Sequence, residues 1–425
     1  MKLKILAIGI TLMILCGSLI ATAKLNNNNT KNTEKEHYYS YKELTELLNK
    51  LQQEYPEIFD YSSLGKTWEG RDIWLVKISD NVNIEEEEAE VFFTGGMHGD
   101  EKQTYEVVIY TIKAFLENYT SPIVNQSFTE RVRNVINNSE IYLIPMLNPD
   151  GVEARTRKNA RPNNCPFGKT LLRGVDINRN SGYKWELQDE HPFKYRRSFP
   201  YIEKINVRYP IFDFRSIIGE GCYRGPYNFS EPESMAIKQV VENHNISIYV
   251  DYHSAANLII YGWAWDNNYP IPNETVFFSI AQNISNMTGY VIKRSMTRNF
   301  GNIRDWMLAE HGVYTFVIEL PPINASKPLM DIMHGNSFPS KNIPILEICE
   351  THVFVNLYFV ERAMAMTNQG LTNPTSTIVP ILDNKSALEK KQHENTPGFV
   401  IILVIVGIAF VAIALILFWK QKRIL

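Results

Sequence analysis

Cysteine is scarce in this chain, and the net charge is small. Only 4 of the 425 residues are cysteines, and one of them, Cys16, lies in the apolar segment at the amino end. The other three allow at most one disulfide and leave one thiol over. The formal net charge is −3 at pH 7, and no stripe of basic residues is present. We therefore expect no nucleic-acid partner, because such binding requires many cations to neutralise phosphates.

The chain has no internal repeat, and its composition is ordinary. Apolar residues make up 44% and charged residues 21% of the sequence, as expected for a globular protein with a sizeable core. The first 23 residues combine Lys2 and Lys4, an apolar run and the small residues Ala21-Thr22-Ala23. This pattern predicts a signal peptide over residues 1–23, with an uncleaved membrane anchor as the alternative. A disordered linker is expected over residues 24–37.

The carboxyl end carries a long uncharged segment, residues 399–419. It is long enough to cross the hydrocarbon core of about 30 Å as a helix, and a buried core helix is the alternative. Lys420, Lys422 and Arg423 follow, which predicts a cytoplasmic tail over 420–425 and an extracellular catalytic domain. Residues 366–398 are expected to form a stalk. Sequons such as Asn118-Tyr119-Thr120 are consistent with a surface glycoprotein.

The remaining span, residues 38–365, alternates between strand-like and helix-like segments. This alternation predicts one α/β domain in which helices flank a mixed, largely buried sheet. Helices are expected over 41–55, 107–116, 232–241 and 346–364, from apolar residues at helical spacing. Strands are expected over 73–78, 91–93, 141–146, 246–252 and 314–320, and Asn148-Pro149-Asp150-Gly151 is expected to form a turn.

Three metal-ligating side chains occur at the ends of predicted strands. His98 and Glu101 follow the strand at 91–93 after a Gly-Gly pair, and His253 ends the strand at 246–252. A catalytic zinc needs about three protein ligands and one open position. Because strand ends of such a sheet share one edge, we expect these three side chains to bind one zinc ion per chain.

Three other polar residues fit a hydrolytic site around such an ion. Glu319 lies at the end of the apolar strand 314–320, where a carboxylate is costly unless it is paired or functional. We expect Glu319 to act as the general base, with a structural salt bridge as the alternative. Arg157 and Arg179 lie in loops after the strand at 141–146, and arginine suits the binding of an oxyanion or a carboxylate.

The sequence resembles the zinc carboxypeptidases of the carboxypeptidase A-like family over residues 38 to 365. The resemblance rests on an ordered series of motifs, "GGMHGDE", "IPMLNPDG", "RKNARPN", "GVDINRN", "YRGPYNFSEPES", "DYHS", "RDW" and "YTFVIELP". It implies hydrolysis of the last peptide bond of peptides or proteins. The implied zinc ligands are His98, Glu101 and His253, and the implied base is Glu319.

The resemblance also implies roles for residues around the ion. Arg157 takes the position of the arginine that stabilises the oxyanion, and Asn178 with Arg179 takes the position of the pair that binds the substrate's terminal carboxylate. Asp176 corresponds to a carboxylate that orients the first zinc histidine. The position that sets side-chain preference is Arg304, which predicts a preference for acidic C-terminal residues. The alternatives are an Arg304–Asp305 pair, or a one-residue gap that places Ile303 there and favours apolar residues.

Some positions depart from the family pattern. Thr297 stands where many relatives have a mobile tyrosine, and the stretch from Trp185 to Ser216 resembles an inserted loop. Cys165 and Cys222 correspond to a disulfide of some relatives, and two buried thiols are the alternative. Two other functions stay open: an amidohydrolase of the same fold acting on γ-linked or N-acyl amino acids, and a non-catalytic surface binding protein.

Overall fold

The structure is a computed structural model that describes residues 38–120, 126–162, 174–187, 224–295, 299–322 and 344–369. The predicted signal peptide, linker, most of the stalk, membrane helix and tail lie outside the described residues. The same holds for Thr297, for the Cys165–Cys222 disulfide, and for the inserted loop beyond Leu187. Cys349 is described, and it is a buried free thiol.

The described strands form one mixed sheet of eight strands in the order β1-β2-β4-β3-β5-β8-β6-β7. The four neighbouring strands β4, β3, β5 and β8 run parallel, and antiparallel strands lie on both sides of them. The strands are β1 Phe59–Lys66, β2 Asp72–Ile78, β3 Ala89–Thr94, β4 Ser139–Ile144, β5 Ile246–Ser254, β6 Leu258–Tyr261, β7 Val291–Lys293 and β8 Tyr314–Leu320.

Helices cover both faces of this sheet, and the strands alternate between the two cores. In β3, Val91 and Phe93 join one apolar core, and Phe92 joins the other. This alternation follows from the two-residue side-chain period of a strand. The helices are α1 Tyr41–Glu54, α2 Lys102–Thr120, α3 Gln126–Ile136, α4 Pro149–Ala154, α5 Pro232–Asn243, α6 Glu274–Thr288, α7 Ile303–His311 and α8 Ile345–Thr367.

The predicted α/β fold is confirmed, and the predicted helices and strands lie within a few residues of the observed bounds. The turn predicted at Asn148 is wrong. Asn148 caps helix α4 instead, with its side-chain oxygen accepting from the Gly151 backbone N–H and Pro149 at the first helical position. Strands β1, β6 and β7 and helices α3, α6 and α7 were not predicted.

Among the described ranges, no helix combines the length and the apolar composition needed to cross a membrane. Residues 399–419 lie outside these ranges, so the predicted membrane helix stays a prediction.

Candidate active site

The predicted metal ligands meet at the carboxyl ends of the parallel strands. His98 and Glu101 lie between the end of β3 and the start of α2, and His253 lies near the end of β5. Two glycines make this loop possible. Gly96 has a φ of +66°, which residues with a side chain rarely adopt, and a Cβ on Gly99 would lie 1.9 Å from the carbonyl carbon of Gly151.

The three side chains direct their ligand atoms at one point. His98 Nδ1 lies 2.8 Å from Glu101 Oε1, and His253 Nδ1 lies 3.0 Å from Glu101 Oε2. The two Nδ1 atoms are 3.1 Å apart. Both histidines are buried, at 2% and 3% exposure. The structure thus brings His98, Glu101 and His253 together in one group that could hold a metal ion.

This cluster fits a zinc ion. Atoms spaced about 3 Å apart share a point about 2.0–2.2 Å from each, the distance zinc keeps from imidazole nitrogen and carboxylate oxygen. Positive charge on His98 and His253 would also account for the acidity of Glu101. Burial alone raises the pKa of this carboxyl, but the two imidazoles outweigh burial and hold the pKa far below its usual range. A bound dication would replace those protons, because metal ligands are deprotonated.

Each histidine is oriented by its own aspartate. His98 Nε2 lies 3.2 Å from Asp176 Oδ1, and His253 Nε2 lies 2.8 Å from Asp251 Oδ2. When each Nε2–H donates to its carboxylate, the Nδ1 lone pair is left for a metal. The structure places Asp176 beside the first histidine, and its role as the group that orients His98 stays a prediction. The role of Asp251 was missed, although its place two residues before His253 puts both side chains on one face of β5.

Asp251 is in turn held by the neighbouring strand. Thr94 is its Cα partner on β3, and the Thr94 hydroxyl donates to Asp251 Oδ1 at 2.8 Å. The same hydroxyl lies 2.7 Å from the Tyr249 hydroxyl. Thr94 and Asp251 are both fully buried, so the carboxylate that orients His253 has a fixed position within the sheet.

The predicted base, Glu319, lies beside the third ligand. It is the Cα partner of His253 on the parallel strand β8. Burial raises its pKa to about 7, and the charge of Glu101 adds to this effect, while His253 and His98 oppose it. A partly buried carboxyl with a pKa near neutrality is suited to exchange protons at physiological pH.

The predicted arginines converge on the same site. Arg157 Nε donates to Asp176 Oδ2 at 3.0 Å, and its Nη1 lies 3.4 Å from Glu101 Oε1. Asn178 Nδ2 lies 3.0 Å from His253 Nε2, and Arg179 is buried at 8% exposure with Nη1 donating to the Asn178 carbonyl. The arginine charges lower the pKa of Asp176 strongly, although burial alone would raise it.

Arg304 is a buried cation near these groups. It lies in the first turn of α7 at 5% exposure, and its Nε has no hydrogen-bond partner among the described residues. The described residues include no hydrogen bond between Arg304 and Asp305, whose two oxygens accept from the backbone N–H groups of Ala264 and Trp265. Burial lowers the pKa of Arg304 and Arg179 adds to this effect, whereas the carboxylates of Asp305, Asp251 and Glu319 oppose it, Asp305 most strongly.

The family model described as "Zinc carboxypeptidase" matches residues 44–345. The chain belongs to the zinc carboxypeptidase family. Zinc is the metal on which this family depends. This dependence agrees with the cluster of His98, Glu101 and His253.

Among characterised relatives, the chain is similar to a zinc carboxypeptidase of Saccharothrix mutabilis subsp. capreolus, with 28% identity over 68% of this chain and 63% of that protein. It is 24% identical to the carboxypeptidase N catalytic chain of Homo sapiens over 60% of this chain and 53% of the relative. The chain thus spans less than two thirds of the length of either relative. It also resembles carboxypeptidase B of Astacus astacus, at 24% identity over 67% and 86% of the two chains.

A solved structure supports the fold. The crystal structure of carboxypeptidase A from Helicoverpa armigera superposes with a TM-score of 0.58 and 21% identity, covering 84% of this chain and 81% of the other. At this level of identity, the likeness shows the fold alone.

Proposed function

We propose that this protein is a zinc-dependent carboxypeptidase that removes the C-terminal residue from peptides or proteins. The observation that carries the proposal is the convergence of Nδ1 atoms and one carboxylate on a common point, with Glu319 on the adjacent strand. The zinc ligands, the base and the arginines all come from separate chain segments, and their meeting at one edge of the sheet is typical of a catalytic site.

His98, Glu101 and His253 would hold the ion. When bound, zinc supplies a Lewis acid that polarises a carbonyl and makes water more acidic. Glu319 then accepts a proton from the attacking water and delivers it to the leaving amine. Arg157, which is partly exposed beside Glu101, donates to the oxygen of the scissile carbonyl as negative charge develops there.

Arg179 and Asn178 would make the enzyme an exopeptidase. Arginine binds a carboxylate through two parallel hydrogen bonds, and a buried guanidinium gains more from such a partner than an exposed one. A substrate with a free terminal carboxylate therefore completes the site, whereas an amidated end or a mid-chain bond does not.

The test compares two versions of one peptide, with a free and with an amidated C-terminus. We expect release of the last amino acid from the free peptide and no release from the amidated one. The released products are identified by mass spectrometry. Equal rates for both peptides would contradict the proposal, as would cleavage confined to γ-linked peptides or N-acyl amino acids, which would indicate an amidohydrolase of the same fold.

Arg304 supports a preference for acidic C-terminal residues. A buried guanidinium without an acidic partner is costly, and a substrate glutamate or aspartate side chain would supply that partner. The charges that act on Arg304 include Arg179, Asp251 and Glu319 as well as the adjacent Asp305, so its head group lies within electrostatic range of the site. Hydrogen bonds between charged groups contribute about 1.5–3 kcal/mol, which corresponds to a preference of about tenfold or more.

The preference is tested with peptides of equal length ending in Glu, Leu or Lys. We expect wild type to cleave the Glu peptide fastest, Arg304→Asp to favour Lys, and Arg304→Leu to favour Leu. Arg131→Leu is the matched control, because Arg131 pairs with Glu361 away from the site. If wild type cleaves Leu or Lys at least as fast as Glu, or if the Arg304 variants keep the wild-type ranking, the assignment is wrong.

The proposed cellular location rests on the sequence alone. The signal-like residues 1–23 and the uncharged residues 399–419, with cations after them, support a single-pass protein of the cell membrane with its catalytic domain outside. In that position the enzyme would act on extracellular peptides. Glycosylation of the sequons is part of the same proposal.

A further inference from the structure

A second cluster of carboxylate and imidazole groups lies at the amino ends of the parallel strands, opposite the zinc ligands at their carboxyl ends. Glu90 is the second residue of β3, Glu140 is the second residue of β4, and His244 precedes β5. Glu85 lies in the loop before β3. Ligand atoms of Glu85, Glu140 and His244 lie within 4.8 Å of one another.

The cluster holds more negative charge than its own cation can balance. Glu90 and Glu140 are Cα partners on neighbouring parallel strands, and their exposures are 8% and 0%. Like charges placed opposite each other in a sheet destabilise it. Lys77 Nζ lies 2.8 Å from Glu140 Oε1 and 3.5 Å from Glu85 Oε1, so this one cation is shared by two carboxylates. Three carboxylates with one cation carry a net charge of −2 when all are ionised, which one divalent cation would balance.

Two buried ligand atoms in this cluster have no hydrogen-bond partner within the described ranges. They are Glu90 Oε2 and His244 Nδ1, which face each other at 3.8 Å, too far apart for a hydrogen bond. His244 Nδ1 also lies 3.8 Å from Glu85 Oε2. Burial raises the pKa of Glu90 to about 7, and the charge of Glu140 adds to it, whereas burial lowers the pKa of His244. Without a metal the cluster thus favours a protonated carboxyl and a neutral imidazole.

We propose that Glu85, Glu90 and His244, with Glu140 beside them, bind a divalent cation that stabilises the amino end of the sheet. Carboxylate and imidazole ligands together suit an ion such as Mn²⁺ or Zn²⁺. His244 Nδ1 lies 3.8 Å from both Glu85 Oε2 and Glu90 Oε2, a separation that two ligands at about 2.0–2.2 Å from one ion can span. Glu85 is well placed to adjust to such an ion, because its side chain is 70% exposed and lies in a loop.

The experiment uses full-length protein loaded with zinc and then dialysed into metal-free buffer. Mn²⁺ is added stepwise, bound manganese and zinc are counted by elemental analysis, and Tm is followed by calorimetry. We expect one Mn²⁺ per chain in addition to the active-site zinc, a rise in Tm, and unchanged peptide hydrolysis. Absence of a second ion at saturating Mn²⁺, with the zinc retained, would overturn the proposal without affecting the proposed peptidase activity.

Variants assign the ligands. We expect weaker Mn²⁺ binding, by about tenfold or more, in Glu90→Gln and in His244→Gln. Glu85→Gln changes an exposed position that the fold tolerates, and it is also expected to weaken Mn²⁺ binding. Glu88→Gln is the matched control, because Glu88 belongs to a neighbouring carboxylate group with Asp80 and Glu86. Wild-type Mn²⁺ affinity in the Glu90 and Glu85 variants, or its loss in Glu88→Gln alone, would show that the ion binds elsewhere.

Discussion

His253 and Glu319 are Cα partners on the parallel strands β5 and β8. Neighbouring strands are held about 4.8 Å apart by their hydrogen bonds, so the third metal ligand and the base have a spacing set by the sheet and independent of loops. Asp251 lies on the same face of β5 and orients His253. His253 and Glu319 are thus both held by hydrogen-bonded neighbouring strands of the parallel part of the sheet.

Asp251→Asn tests the orientation of His253. The amide oxygen is uncharged and makes the imidazole a weaker metal ligand, so zinc affinity is expected to fall about 10- to 100-fold. At saturating zinc, most of the turnover is expected to return. Competition with a chelator measures the dissociation constant, and Asp60→Asn is the control. Wild-type zinc affinity in Asp251→Asn would show that this aspartate has no such role.

Glu319→Gln tests the base. The amide cannot accept a proton, so kcat is expected to fall by about 10²- to 10⁴-fold while zinc content stays at that of wild type. Exposed Glu347 provides the control substitution Glu347→Gln. A Glu319→Gln enzyme that keeps about a tenth or more of wild-type turnover would place the base elsewhere.

The pH dependence of wild type follows from the same carboxyl. Glu319 must be deprotonated to act, so kcat/KM falls as pH drops through its pKa. Burial raises that pKa to about 7 in the metal-free site, and the charge of a bound dication lowers it. We therefore expect the acidic limb of the kcat/KM profile below about pH 7. A profile that is flat across this range would contradict the assignment.

His352 is expected to make the fold sensitive to acid. Its Nδ1 lies 3.2 Å from the Tyr252 hydroxyl and its Nε2 lies 3.0 Å from the Tyr290 hydroxyl, inside the core. The Tyr252 hydroxyl donates to Asn356, so it accepts from the ring, and Nε2 accepts from Tyr290. The bond that Nε2 accepts requires a neutral imidazole, and burial lowers the pKa of His352 to about 3.

The sign of the effect follows from proton uptake. The unfolded chain protonates His352 near the ordinary histidine pKa of 6.5, whereas the folded chain does so only at about 3. The stability from this group is therefore full above about pH 6.5 and decreases as pH falls towards 3. Chemical denaturation of wild type and His352→Gln at several pH values should give a shallower loss of unfolding free energy in the variant. Parallel curves would contradict the prediction.

The proposed topology is tested on intact cells. Because residues 420–425 are expected in the cytoplasm, added protease should release the catalytic domain and leave an epitope placed in the tail protected. A lysed sample, in which both are cleaved, is the control. A catalytic domain that resists protease until lysis would place it on the other side of the membrane.

The sequence was sufficient to predict a zinc-dependent hydrolase and the order of the main helices and strands. Apolar periodicity located the main helices and strands, because burial imposes that periodicity locally. The motifs around His98, His253 and Glu319 predict the ligands and the base, because imidazole and carboxylate are the side-chain types that bind zinc and accept protons. Short strands such as β6 and β7 were not predicted, because three or four residues are too few to show a clear apolar pattern.

The side-chain contacts within the site became apparent only from the three-dimensional structure. Thr94 on the adjacent strand fixes Asp251, which orients His253, and the Asp305 oxygens accept from backbone N–H groups of a separate loop. The pairing of Glu90 with Glu140 likewise depends on strand register. These contacts join residues far apart in the chain, and sequence patterns describe only neighbours within one element.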